Sequence, residues 1–177
     1  SFNDAPGTLV VNEDSVVEQE TISGIAYSPD EAKITIVALP DQPGVAAGVF
    51  GALADNHVNV DMIVQSASSA VKKTDISFSV SRGDLNKAVD IIHEKKSELK
   101  FDSVDASPNV AKISVVGMAM RTQPGVAKTM FETLAAKGVN LHVISTSEIK
   151  ISVLIDAEYT ELAVRSLHTA YGLDDES

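Results

Sequence analysis

The stretch PDQPGVAAGVFGALADNHVNVDMIVQ, residues 40–65, returns with few changes as RTQPGVAKTMFETLAAKGVNLHVIST, residues 121–146. A single offset of 81 residues aligns six identical pairs: Gly44 with Gly125, Val45 with Val126, Phe50 with Phe131, Leu53 with Leu134, Asn59 with Asn140, and Ile63 with Ile144. Beyond the polar segment SASSAVKKTD, the offset shortens to 75 residues, which aligns His93 with His168. The chain therefore contains two copies of one structural unit, and the first copy carries a longer loop.

The composition limits what kind of protein this is. With 177 residues, of which 44% are hydrophobic, the chain suffices for one ordinary domain or two small ones. The absence of cysteine excludes disulfides, thiolate catalysis and zinc–thiolate sites. The formal charge of −11 disfavours nucleic acid as a partner, and no apolar run approaches the roughly 20 residues that cross a bilayer. We expect a cytoplasmic protein that binds neither nucleic acid nor membrane and, since residue 1 is Ser, one taken from a longer chain.

Hydrophobic periodicity predicts the same order of elements in both copies. In the first copy it predicts strands at residues 32–39, 58–67, 74–81 and 100–107, and helices at residues 43–56 and 84–99. Asp41 and Asp84 are candidate N-caps of these two helices. The second copy repeats the order with residues 111–118, 124–138, 139–147, 149–155 and 158–171. The order β-α-β-β-α-β predicts an α+β, ferredoxin-like fold for each copy.

The second copy lacks a final strand, because only an acidic tail follows its last helix. The segment ETISGIAYS, residues 20–28, has strand character and precedes the turn-like segment SPDEA, so it can supply the missing strand. We therefore predict that the first unit is inserted into the second. The predicted divisions are an N-terminal linker at residues 1–20, a first unit at 32–109, a second unit at 21–31 plus 110–172, and an acidic tail at 173–177. The alternative is an early strand that only extends the sheet of the first copy.

No motif indicates catalysis or a bound cofactor. The sequence has no phosphate-binding glycine loop ending in Lys and Ser or Thr, no dinucleotide fingerprint, and no Gly-x-Ser-x-Gly nucleophile elbow. Its four histidines, His57, His93, His142 and His168, lack the spacing of metal ligands, so we predict no metal site. We expect no catalytic residue, no cofactor and no enzyme activity from this chain alone.

Each copy has a Pro-Gly turn between its first strand and its first helix, DQPG at residues 41–44 and TQPG at residues 122–125. Glycine lets the backbone turn tightly, and the first amides of a helix together with its dipole attract a carboxylate. Polar side chains follow on the next strand: Asn59, Asp61 and Gln65 in the first copy, and Asn140, His142 and Thr146 in the second. The pattern indicates a site for an amino acid, although the same turn also serves as a plain strand-to-helix connection.

The segments ISGIAYSPDEAKITI, DMIVQ, TDISFSV and ISTSEIKISVLI resemble the regulatory part of aspartokinases, a pair of ACT domains, over residues 22–171. The resemblance implies a module that binds threonine, lysine or both for feedback inhibition of the pathway to the aspartate-derived amino acids. It also implies a homodimer through the ACT domains and a kinase catalytic domain or α subunit as partner. The matching positions of the first effector site are Asp41, Pro43, Gly44, Val45, Ala46 and Gln65, with Asn140 and Leu141 contributed across an ACT–ACT interface.

A second effector site is implied by the same resemblance, with Asp61, Met62, Gln123, Gly125, Val126, Ala127, Ser147 and Glu148. Its turn reads TQPG where the first reads DQPG, so it lacks a carboxylate for an amino group. The chain resembles either a natural regulatory β subunit or the regulatory region of a full-length kinase. Two other interpretations stay open: a structural module for dimerisation, and a freestanding ferredoxin-like enzyme.

Overall fold

The computed structural model describes residues 22–173. The predicted linker, residues 1–20, and residues 174–177 of the predicted acidic tail lie outside the described residues. Contacts within the described chain divide it into two units. The first unit consists of residues 28–111 and 156–158, and the second unit consists of residues 22–27, 112–155 and 159–173.

The first unit follows the predicted order of strand, helix, two strands, helix and strand. Its elements are β1 (Ile22–Pro40, from residue 28 onward), α1 (Val45–Asp55), β2 (Asp61–Ala67), β3 (Lys73–Ser81), α2 (Leu85–Glu94), α3 (Lys96–Leu99) and β4 (Ser103–Gly117, up to residue 111). The strands lie in the order β2-β3-β1-β4, and β3 pairs antiparallel with both β1 and β2. This arrangement confirms the predicted ferredoxin-like fold.

One face of this sheet holds the core of the first unit. The period-2 alternation of β1 and β3 places Ile34 opposite Phe78, and both side chains are fully buried. Helix α1 adds Val49 and Leu53 to the same cluster, and Phe50 meets the Phe78 ring edge-on at 5.3 Å between centroids. Burial of each such side chain stabilises the unit by about 1.5–3 kcal/mol, which holds α1 against the sheet.

The second unit repeats this architecture. Its elements are residues 22–27 of β1, residues 112–117 of β4, α4 (Pro124–Ala136), β5 (Val143–Thr146), β6 (Lys150–Asp156, up to residue 155) and α5 (Thr160–Ala170). The strands that contribute to this unit follow the order β1-β4-β6-β5, and β5 pairs antiparallel with β6. The fold is again α+β and ferredoxin-like, as predicted.

The two helices of the second unit are joined by a buried hydrogen bond. Met130 and Leu134 of α4 and Leu167 of α5 are fully buried, as the 3.6-residue period of an amphipathic helix predicts. The Tyr171 hydroxyl, just after α5, donates a buried hydrogen bond of 2.6 Å to the carbonyl of Val126 in the first turn of α4. The bond ties the end of one helix to the start of the other.

Several predicted boundaries differ from the structure. The turn predicted at SPDEA is wrong, because β1 runs unbroken through residues 28–32. The Arg82 guanidinium donates to the carbonyl oxygens of Pro29 and Pro108, both at 2.7 Å, so tertiary hydrogen bonds hold this segment extended against its turn propensity. β4 likewise forms one strand where two were predicted, and the helix predicted at residues 84–99 breaks at Lys95 into α2 and α3.

The predicted N-cap role of Asp41 is also wrong. Gly44 occupies the N-cap position of α1, and no side chain caps this helix. The Asp41 amide donates to the Lys72 carbonyl at 3.0 Å, which holds Asp41 in the connection ahead of the helix. Asp84 does occupy the N-cap position of α2, but its side chain makes no capping hydrogen bond because a 3₁₀ turn, Arg82–Asp84, leads directly into the helix.

Candidate functional site

The first Pro-Gly turn connects β1 to α1 through the DQPG segment. The Asp41 amide bonds the Lys72 carbonyl, and the Gln42 amide donates to the Pro40 carbonyl at 3.0 Å, so the chain reverses tightly. Gly44 has φ +90°, in the left-handed region, and an ideal Cβ at this position would meet no atom within 4 Å. The turn therefore requires glycine for its backbone conformation and not for space.

The first turn of α1 offers backbone donors to a ligand. An α-helix leaves its first amides without intrahelical partners, and α1 has neither a side-chain cap nor an acidic residue in its first turn. The Val45 amide reaches the Gln42 carbonyl only at 3.4 Å, which is long for an N–H···O hydrogen bond. The helix dipole adds a partial positive charge of about +0.5 at this end. This end of α1 therefore suits a carboxylate group.

A cavity of about 220 Å³ opens at this turn. It is lined by the turn itself, the start of α1, the end of β1 and the hairpin of β2 and β3: Pro40, Asp41, Gln42, Pro43, Gly44, Val45, Ala46, Gln65, Thr74 and Ile76. Six residues predicted for the first site line this one cavity: Asp41, Pro43, Gly44, Val45, Ala46 and Gln65. Asp41 is the one charged side chain among the ten lining residues.

Four lining residues, Pro40, Gln42, Thr74 and Ile76, are absent from the predicted set. In the β2–β3 hairpin Gln65 pairs with Ile76, and this register brings Thr74 and Ile76 to the turn. The Thr74 hydroxyl donates to the Ser66 carbonyl at 2.8 Å, and its oxygen retains lone pairs that can accept from a ligand. The hairpin register would have revealed these residues, but the loop is too long for a two-residue turn type to define that register.

The cavity combines groups that complement a free amino acid. Amides at the start of α1 can bind a carboxylate, and Asp41 can bind an ammonium group. Gln65 offers an amide oxygen and two N–H donors, while Val45 and Ile76 provide apolar contact. The lining contains no histidine, cysteine, serine or lysine, so it offers no nucleophile with an adjacent base. The arrangement favours binding over catalysis.

The second Pro-Gly turn has a similar sequence but a different backbone. Gln123 is the N-cap residue of α4, so Pro124 and Gly125 are already helical, and Gly125 has no left-handed φ. The expectation that Gly125 turns the backbone as Gly44 does is therefore wrong. A 3₁₀ turn, Met120–Thr122, reverses the chain first, and the helix then begins two residues earlier than α1 does at the equivalent position. Val126 in this turn is fully buried.

The β5–β6 turn lies beside this second Pro-Gly turn within the second unit. The Met120 amide donates to the Glu148 carbonyl at 2.8 Å, and the Gln123 amide donates to the Met120 carbonyl at 3.2 Å. The Ser147 hydroxyl oxygen accepts a hydrogen bond from the Lys150 amide at 3.2 Å. Three residues of the predicted second set, Gln123, Ser147 and Glu148, are therefore close neighbours, and they already bond within the protein.

The remaining predicted residues lie on the edge strands or just before them. Asp61 and Met62 begin β2; Met62 is 6% exposed, and the Asp61 Oδ1 accepts a hydrogen bond from the Met62 amide at 2.9 Å. Ala127 follows Val126 in α4 and is half-buried. Asn140 is exposed and Leu141 is half-buried, just before β5 in the second unit. Neither Asn140 nor Leu141 is among the residues that line the first cavity.

Two larger cavities lie away from all predicted site residues. One of about 500 Å³ is in the second unit beside Tyr27 and His168, and one of about 690 Å³ is in the first unit beside Arg82 and Glu158. The chemistry of the lining, and not its size, therefore singles out the cavity at the first turn. Within residues 22–173, no group of three or more His, Asp or Glu side chains could hold a metal ion, and no helix is long and apolar enough to span a membrane.

The repeat and the fold match known proteins. A family model described as ACT domain matches residues 34–95 and 113–171. A crystal structure of aspartokinase alpha and beta subunits superposes with a TM-score of 0.79 at 45% identity, over 86% of this chain and 99% of that chain. This chain belongs to the aspartokinase family of ACT-domain proteins. The ligand-free regulatory subunit of aspartate kinase from Thermus thermophilus is also similar, with a TM-score of 0.78 and 37% identity over 85% of this ACT pair and 98% of that chain.

The similarity covers the regulatory part of these enzymes. The aspartate kinase of Stutzerimonas stutzeri strain A1501 is 47% identical over 175 residues, which are 98% of this ACT pair but 42% of that relative. The ACT pair thus spans less than half the length of the curated relative that it matches. Together with the regulatory-subunit structure, this coverage is consistent with a non-catalytic regulatory chain.

Proposed function

We propose that this ACT pair is an allosteric amino-acid sensor, and that threonine binds at the first Pro-Gly turn. The observation that carries the proposal is the convergence of helix amides, one carboxylate and one side-chain amide on a cavity of about 220 Å³. Similarity to regulatory subunits of aspartate kinase supports feedback inhibition by an aspartate-derived amino acid as its purpose. The sensor would act in the cytoplasm, where the free amino acids and the kinase that it regulates would meet.

The charge of the lining favours threonine over lysine at this turn. The amides of α1 would take the carboxylate, Asp41 the α-ammonium group, and Gln65 with Thr74 the side-chain hydroxyl. Val45 and Ile76 would contact the threonine methyl group. Lysine brings a second ammonium group, and the ten lining residues include no second carboxylate to pair with it. An enclosed charge without a partner costs binding free energy.

A second position, for lysine, is a separate proposal. It uses the predicted second set: Asp61, Met62, Gln123, Gly125, Val126, Ala127, Ser147 and Glu148. The exposed carboxylate of Glu148 beside the second turn could take the ε-ammonium group that the first cavity cannot accommodate. The second turn itself lacks the acid of DQPG and has no left-handed glycine, so we do not propose threonine there.

The first site would be completed by a second chain. In the proposed two-fold homodimer, Asn140 and Leu141 reach the ligand across an ACT–ACT interface. β2 and β5 end the strand order, and at matching positions they carry exposed apolar side chains, Ile63 at 51% and Ile144 at 46% exposure. Apolar edge strands favour pairing with another chain. Sedimentation should show a dimer at micromolar concentration, and a monomer in the presence of ligand would contradict this part of the proposal.

A ligand held at an interface regulates by favouring one arrangement of that interface. The effector adds contacts in only one of two states, so it shifts the population toward that state, and a kinase catalytic domain or α subunit would respond to the shift. A typical coupling of about 1–3 kcal/mol changes affinity roughly 5–150-fold. Allosteric control of this size would suffice for feedback inhibition.

Calorimetric titration with threonine, lysine and their mixture tests the proposal directly. At a hundredfold excess over Kd, a ligand stabilises the folded state by about 2.7 kcal/mol, which raises Tm by several degrees. Gln65→Ala should remove most of this rise with threonine, and the matched variant Gln123→Ala, at the second turn, should retain it. Equal shifts in wild type and Gln65→Ala would contradict the site assignment.

The same titration separates the two other interpretations. A purely structural dimerisation module would bind neither amino acid, alone or mixed. A freestanding enzyme would turn over a substrate without any partner chain, which the lining of the first cavity does not favour, since it lacks an activated nucleophile. Absence of binding to threonine, lysine and the mixture would leave the structural module as the function.

A further inference from the structure

Strand β2 contains one extra residue relative to its partner β3. Asp61 pairs with Ser79, but Val64, three residues further along, pairs with Ser77, so the register shifts by one residue between them. Within this segment Met62 has φ +52°, a left-handed backbone that non-glycine residues rarely adopt. These features define a β-bulge, which is often found where a strand must re-aim a side chain.

The bulge decides which face of the sheet carries the Gln65 side chain. Directly opposed residues of an antiparallel pair point to the same face. Gln65 pairs with Ile76, which belongs to the buried cluster under α1, whereas Asp61 pairs with Ser79, three positions away on β3 and hence on the opposite face. In a regular strand, residues 61 and 65 would share a face. The extra residue therefore turns Gln65 to the side on which α1 and its Pro-Gly turn lie.

Asp61 stabilises the bulge from within. Its Oδ1 accepts a hydrogen bond of 2.9 Å from the amide of Met62, the residue with the left-handed backbone. The Met62 side chain is 6% exposed, so packing holds the same residue from the other end. Backbone strain of this kind persists only where the surroundings support it, and it concentrates at functional sites.

The second copy has no such bulge in its equivalent strand. β5 pairs with β6 in constant register from Val143 opposite Leu154 to Thr146 opposite Ile151. Val143 stands where the first copy has Met62, and it has no left-handed φ. The bulge therefore occurs in the copy whose turn also has Asp41, the left-handed Gly44 and a cavity that Gln65 lines.

We propose that the Asp61–Met62 bulge is a positioning device for the amino-acid site. Its extra residue places Gln65 at the first Pro-Gly turn, and the Asp61 carboxylate holds the bulge in place. Without it, a one-residue change of register would send Gln65 to the opposite face and remove the one side-chain amide of β2 from the cavity. Asp61 and Met62 then act on the ligand through Gln65. The inference rests on the proposed function for its consequence in binding.

Two substitutions of Met62 separate positioning from packing. Valine, a β-branched residue, opposes a left-handed backbone and favours a regular strand, whereas glycine accepts it. We expect Met62→Val to raise the Kd for threonine at least about tenfold and Met62→Gly to leave it within about twofold, although Met62→Gly removes more buried side chain and lowers Tm further. A role in packing alone predicts the reverse order for binding, and that order would overturn the proposal.

A second readout needs no ligand. Nuclear Overhauser contacts between the Gln65 side-chain amide and the Ile76 methyl groups should be present in wild type and Met62→Gly and lost in Met62→Val. Should Met62→Val fail to fold, Asp61→Ala and Asp61→Asn provide the test: asparagine keeps an oxygen acceptor and retains the contact, and alanine weakens it. Contacts that persist in Met62→Val, or in Asp61→Ala when that pair is used, overturn the positioning role. The expected pattern of contacts in a wild type that binds no amino acid would refute only the proposed ligand.

Discussion

Replacing Gly44 by alanine tests the backbone on which the proposed site depends. Gly44 is the N-cap of α1 with φ +90°, and an added Cβ would meet no atom within 4 Å. The cost is therefore conformational and not steric: a left-handed conformation costs an L-residue about 1–2 kcal/mol. Alanine also restricts the unfolded chain, which returns about 0.4–1 kcal/mol. We expect a net destabilisation of about 0.5–1.5 kcal/mol.

Gly51 provides a matched control in the same helix. It lies inside α1, it is exposed, and an added Cβ there also meets no atom within 4 Å. Alanine in a helix interior is more favourable than glycine by about 0.5–1 kcal/mol, so Gly51→Ala should stabilise the chain. The two variants should therefore differ by about 1–2.5 kcal/mol, which corresponds to about 2–10 °C in Tm for a chain of this size.

Thermal denaturation of the wild type and both variants measures this difference, and titration with threonine measures its consequence. Gly44→Ala should also weaken threonine binding, because the amides after residue 44 lose their orientation, while Gly51→Ala should bind as wild type does. Melting temperatures that move in the same direction by the same amount would refute the reasoning, since they would show that the left-handed conformation of Gly44 is not required.

Two further predictions concern the second unit. Tyr171→Phe removes the buried hydrogen bond to the Val126 carbonyl and should destabilise the second unit by about 1–3 kcal/mol in denaturant unfolding, while Tyr159→Phe serves as the control; equal stability of the two variants would contradict a structural role for that bond. Removal of residues 1–27 takes away buried Ile22 and should reduce hydrogen-exchange protection in β4–α5 of the second unit; loss confined to β2 and β3 would contradict the predicted insertion topology.

The repeat was sufficient to predict the fold and most of the first turn. Apolar alternation in residues 32–39 and 74–81 and helical spacing after Gly44 specify elements whose periods differ, 2.0 and 3.6 residues, so their types are readable from the sequence. The local chemistry of DQPG was readable in the same way, because only glycine readily adopts the conformation of Gly44. Neither inference required knowledge of distant contacts.

Other features depended on contacts that the sequence does not display. The segment SPDEA has turn composition, yet hydrogen bonds from Arg82 to Pro29 and Pro108 hold it in a continuous strand. TQPG reads like DQPG, yet a 3₁₀ turn ahead of it starts α4 earlier and leaves Gly125 without a special conformation. In both places, tertiary interactions outweighed a local propensity of about 1 kcal/mol or less.

By itself the sequence determined two ferredoxin-like copies, a glycine-dependent turn in the first of them and an acid beside it, because these follow from side-chain period and backbone sterics within a few residues. Only the tertiary structure decided that Gln65, Thr74 and Ile76 line a cavity at that turn. Their placement depends on a one-residue register shift at Met62, and register is a property of two strands paired across a loop. A slip of one residue changes no local propensity, but it moves every later side chain of the strand to the other face.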